Sequence, residues 1–108
     1  MAPGPKAPDE YVSATIIRQL FNKGKFWERA LQGEFRMIVK RDSVCRRPPK
    51  GEPYGLRSQI VYYVDQNDET IAVVHQYLRP DGSLAGSGRP DPKHLLLGNR
   101  RLHVRRSG

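Results

Sequence analysis

Cysteine is nearly missing from this chain: Cys45 is the single one among 108 residues. That excludes an internal disulfide and a multi-cysteine zinc site, and it favours a reducing compartment. Long apolar runs are missing too, so neither a signal peptide nor a membrane span is expected, and the expected setting is cytoplasmic with no membrane partner. Acidic residues are scarce beside basic ones, 11 against 19, leaving a formal net charge of +8. Such an excess points to polyanions, nucleic acid (DNA or RNA) or an acidic protein. The three histidines come with neither an H-x-x-x-H spacing nor a carboxylate pair. His94 and His103 fall in separate expected elements, so no metal and no cofactor are expected.

The charge is unevenly placed. Residues 34–58 hold seven basic and three acidic side chains and residues 89–108 hold six and one, whereas residues 59–88 hold one and four. Arginine outnumbers lysine by 13 to 6, which suits bidentate phosphate contacts.

One stretch organises the rest. Ile60–Val64 and Ile71–Leu78 are rich in Ile, Val and Tyr, with Asp65, Asn67 and Asp68 between them, the pattern of an antiparallel hairpin. Alternation puts Ile71, Val73, His75 and Tyr77 on one face of its second strand. Upstream, Val12, Ile16, Ile17, Leu20 and Phe21 share half of a helical wheel, with Asp9 as expected N-cap and Gly24 as stop. Phe26, Trp27, Ala30 and Leu31 repeat at helical spacing, with Trp27 as expected anchor on the sheet. From Glu34 the period changes to two, the mark of a strand with Arg36 and Lys40 on one face. Asp91 to Gly98 reads as a short helix with Pro92 at its first position, and Leu102 and Val104 fit a last strand.

The expected fold is therefore α+β: two N-terminal helices packed on a three- to four-stranded antiparallel sheet, with a short C-terminal helix. Residues 1–8 are expected as a disordered tail and 9–108 as one domain. Two loops interrupt it, a basic Pro/Gly-rich one at 46–57 and a Gly-rich one at 79–90.

Three candidate sites follow. The largest is a nucleic-acid surface: cations spaced to track phosphates, with an aromatic ring for stacking. It comprises Arg36, Lys40 and Arg41, then Arg46, Arg47, Lys50, Tyr54 and Arg57 of the loop, joined by Arg100, Arg101, Arg105 and Arg106. The second is an anion-binding turn of Gly86, Ser87 and Gly88 with Arg89 and Lys93, weakened by Asp91, whose carboxylate would compete for the same N–H groups. The third is catalytic. His75, Tyr77 and Arg79 supply a proton carrier, a phenol and a cation, the set a metal-independent endoribonuclease of bacterial toxin type could use. The preferred reading is a nucleic-acid-binding domain; that ribonuclease and a protein-interaction module for an acidic partner are the alternatives.

Overall fold

The computed structural model describes residues 8–105. The expected tail, residues 1–8, falls outside them apart from Pro8, and so does Arg106. A six-stranded sheet dominates: β1 (Asp9–Val12), β2 (Arg36–Val44), β3 (Arg57–Val64), β4 (Thr70–Leu78), β5 (Asp91–Leu97) and β6 (Arg100–Val104). Two short helices, α1 (Ala14–Lys23) and α2 (Phe26–Leu31), lie between β1 and β2. In space the strands run β1-β6-β5-β4-β3-β2, with β1 parallel to β6 and every other pair antiparallel. The chain thus crosses over the helices to the far edge and returns strand by strand until β6 lies beside β1.

This corrects the expected architecture of three or four strands with helices at both ends. Asp9 is not a helix cap but opens β1; the cap is Ser13, whose Oγ accepts the Ile16 N–H at 3.2 Å. Asp91 to Leu97 is a strand and not a helix. Seven residues make a helix that nucleates poorly. Gly98 and Asn99 instead form a two-residue connection that pairs Leu97 with Arg100, with Gly98 at φ +57° where a side chain would be strained. Strand β1 pairs with residues some ninety positions away, beyond the reach of any local pattern.

Both helices cover the same face of the sheet. Ile17 and Phe21 of α1, with Phe26 and Ala30 of α2, pack on Val61, Tyr63, Ala72, Val74, Leu95 and Leu102. Gly24 is needed between the helices, because a Cβ there would collide with the Phe26 ring. Phe21 stacks on Phe26 with centroids 5.8 Å apart, and Phe26 on Phe35 at 6.1 Å. Trp27 packs against the rim of this core, and the Arg89 guanidinium lies 4.9 Å from its ring centroid. The Tyr63 ring is fully buried and its hydroxyl has no hydrogen-bond partner among the described residues; burial pushes its pKa up. Among the described residues no helix is long and apolar enough to cross a membrane.

Candidate functional site

The face opposite the helices carries the chemistry. Register runs one row of side chains across the whole sheet: Ile38 beside Tyr62, Val73, His94, His103 and finally Tyr11. A second row holds Arg41, Ile60, His75 and Asp91, and a third Ser43, Ser58 and Tyr77. Because side chains alternate along a strand, all of these share the parity that the helices leave uncovered. Tyr11 is 60% and Tyr77 39% exposed. Lys40 reaches over this face, its Nζ 5.4 Å from the Tyr62 ring centroid, helped by the register shift between Val39 and Arg41.

The cations expected to bind phosphate divide into two groups. Arg36 pairs with Asp68, Arg57 with Asp42 at 2.7 Å, and Arg100 with both oxygens of Glu10 at 3.0 Å. The hydrogen bonds from Arg57 and Arg100 hold the Asp42 and Glu10 carboxyls below their usual range. Arg105 donates to the Tyr11 carbonyl at 3.3 Å. In contrast Arg41, Arg46, Arg47, Lys50 and Arg101 make no ion pair among the described residues. Arg46, Arg47 and Lys50 project from the 46–57 loop beyond β2 and β3, where Tyr54 is 86% exposed. Arg100 and Arg101 lie at the opposite end of the sheet, since β6 begins beside Leu97 while β3 begins beside Leu78. The loop therefore does not form one cluster with Arg100 and Arg101; Arg101 meets the open face at its far corner, in the register of Asp9 and Leu96.

The catalytic and anion-binding candidates converge instead. His75, Tyr77, Gly86, Ser87, Arg89 and Asp91 line a cleft of about 370 Å³, with Arg18 of α1 as a further wall. His75 Nε2 lies 2.8 Å from Ser58 Oγ, and the imidazole meets the Tyr77 ring edge-on at 4.7 Å. Burial, followed by the positive charge of Lys93, pushes the His75 pKa below its ordinary value against the pull of Asp91. Arg79 is not in this cleft. It makes a bidentate pair with Glu52 at 2.7 and 3.1 Å and donates to Ser83 Oγ and the Leu84 carbonyl, tying the 46–57 loop to the 79–84 turn. Arg89 is committed to Glu28 at 3.0 Å and Asn22 at 3.3 Å, and Lys93 to Asp91 at 2.9 Å. Arg18, held to Asp91 only at 3.4 Å, is the cleft's loosest cation.

Beyond the cleft, His94 and His103 face each other with their Nδ1 atoms 2.5 Å apart. His103 Nε2 lies 2.7 Å from Asp9 Oδ1, and Tyr11 tilts against its ring at 5.3 Å. Burial, then the neighbouring His103, pushes the His94 pKa down.

Sequence reasoning passed over Tyr11, Arg18, Ser58, Tyr62 and the His94–His103 pairing. For Tyr62 the available sign was its place in the alternating run Ile60–Val64, and for the second hairpin it was the Gly98–Asn99 dipeptide. Arg18 carried no such sign, for on the polar face of a helix it looks like any solvated arginine. Compared with known proteins, the chain matches no family model, no curated protein and no solved structure.

Proposed function

We propose that this protein binds single-stranded nucleic acid across the open face of its sheet. The observation that carries the reading is the row Tyr62, His94, His103 and Tyr11, four flat rings set on four strands of a face that no helix covers. Unpaired bases offer π faces that stack on such rings whatever their sequence, while a duplex hides them. Phosphate contacts come from Lys40 and Arg41 at one edge, continued by Arg46, Arg47 and Lys50 of the loop, and from Arg101 at the far corner. All six cations lack an acidic partner among the described residues, so they are available to displace counterions.

A second reading has its own observation. Ser58 and Tyr77 hold His75 at the rim of a cleft that also contains Arg18. A neutral imidazole there could accept the 2′-hydroxyl proton of RNA while a guanidinium faced the phosphate, the ribonuclease alternative with Arg18 in place of Arg79.

One experiment tests both readings. Labelled single-stranded RNA and duplex DNA are incubated with wild-type protein and with Tyr62→Ala, then run on native and denaturing gels. The binding reading expects intact RNA to be retarded more than duplex, and retardation to weaken in Tyr62→Ala. RNA cut by wild type and spared by folded His75→Ala would install the second reading. No retardation at low salt and no cutting would remove both and leave an acidic protein as the partner class.

A further inference from the structure

We infer that His94 and His103 form a two-imidazole site for a first-row divalent metal ion of the borderline class, zinc, nickel or copper, on the open face of the sheet. The expectation of no metal rested on the lack of an H-x-x-x-H spacing or a carboxylate pair and on these histidines lying in separate elements. The β5–β6 hairpin removes that ground by setting them directly opposite each other.

Three features of the pair suit a metal ion. The first is convergence: the Nδ1 atoms face each other at 2.5 Å, with room for the one hydrogen that one ring donates to the other. A neutral imidazole has one N–H and one lone pair, so a cation placed between the rings satisfies both at once. The second is orientation. His103 turns its other nitrogen, Nε2, to Asp9 Oδ1 at 2.7 Å, the carboxylate–histidine arrangement that fixes the tautomer and orientation of a metal-bound imidazole. With the proton held at Nε2, the Nδ1 lone pair is directed at His94. The third is access. Hollows on both sides, one reaching Glu69 and Arg101 and the other Asp9 and Tyr11, are each lined by both imidazoles.

Zinc–nitrogen bonds of about 2.0–2.1 Å in a tetrahedral field would put the two nitrogens roughly 3.3 Å apart. The rings must open by less than about 1 Å, which a small rotation of His94, on the exposed side of the pair, supplies. Among the described residues no group of three or more His, Cys, Asp or Glu converges. Two protein nitrogens therefore hold the ion, solvent fills the remaining positions, and imidazole donors select zinc, nickel and copper over magnesium and calcium. Arg101 beside the site works against a cation and Glu69 for it. The inference does not rest on nucleic-acid binding.

The test is titration of the full chain with zinc chloride and, separately, magnesium chloride, followed by calorimetry and by the ring resonances of all three histidines. One zinc per chain should bind, shifting His94 and His103 before His75, with no response to magnesium. His94→Gln and His103→Gln should each lose at least about tenfold in zinc affinity, and Asp9→Asn about tenfold, while His75→Gln titrates as wild type. Thermal melts without metal establish that each variant is folded, and the ring shifts of the wild type decide the matter if one is not. Zinc binding that survives His94→Gln, that shifts His75 first, or that is not detected at millimolar zinc would overturn the inference.

Discussion

Ser58 Oγ and His75 Nε2 lie 2.8 Å apart across the β3–β4 pair. The serine hydroxyl can donate to a neutral Nε2 or accept from a protonated one, so the contact does not by itself set the charge of the ring. Burial does: it pushes the His75 pKa below the ordinary value of 6.5, and His94 behaves alike. Both rings are thus held neutral in the folded chain where the unfolded chain would begin to protonate.

The first prediction follows from the sign of that shift. Between the lowered folded value and the unfolded value near 6.5 the unfolded state binds more protons, so stability rises with pH through this window and is lost as pH falls through it. Melting temperature should drop between pH 7.5 and pH 5, and the drop should shrink in a His75→Gln, His94→Gln double variant. A melting temperature that rises on acidification would show that these rings gain protons on folding.

Arg79 yields a second prediction. Its bidentate pair with Glu52 and its contacts to Ser83 and Leu84 clamp the basic loop to the turn after β4. The hydrogen bond from Arg79 also holds the Glu52 carboxyl below its usual range. Arg79→Ala should leave the sheet folded and release the loop, so trypsin should cut after Arg46 or Lys50 several-fold faster than in wild type. Cleavage at the wild-type rate would mean that the loop is held by something else.

The core offers a third. Tyr63 buries a hydroxyl with no hydrogen-bond partner among the described residues, and an unsatisfied buried donor costs about 1–3 kcal/mol. Tyr63→Phe keeps the ring in contact with Phe21 at 6.0 Å and removes the hydroxyl. Stability to urea should be unchanged or higher; a loss above about 1 kcal/mol would mean that the hydroxyl has a partner after all.

What the sequence made legible was whatever is local. The amphipathic stripe of Ile17, Leu20 and Phe21 and the Val- and Tyr-rich runs of the central hairpin are patterns within a few residues, and each lies in a helix or strand of the matching kind. The rest depends on pairing at long range. β1 carries two acidic residues in four, and what holds it is β6, through Arg100 on Glu10 and the Arg105 N–H on the Val12 carbonyl at 2.7 Å. Asp91–Pro92 has the composition of a helix start, yet Leu95 and Leu97 find their core partners only when the segment is extended. Misreading that segment separated His94 from His103, and taking Asp9 as a helix cap kept Tyr11 off the open face, so the candidate site was missed for the same reason as the two strands.

The open-face reading makes a quantitative prediction about salt, measured by fluorescence anisotropy of a labelled single-stranded RNA between about 50 and 200 mM salt. Each phosphate contact contributes roughly 0.7 to the slope of log affinity against log salt for single strands. Arg46 and Arg47 have no acidic partner among the described residues, so replacing both with Ala should flatten the slope by up to about 1.4. Arg36 and Arg100 already neutralise Asp68 and Glu10; the same double replacement there should leave the slope close to wild type. Tyr62→Ala should do the reverse of the loop variant. It removes a stacking surface without removing charge, so affinity should fall by about 1–3 kcal/mol at every salt concentration with the slope unchanged. If Tyr62→Ala binds like wild type while the loop variant loses its slope, the nucleic acid sits on the loop alone and the open face is not its platform.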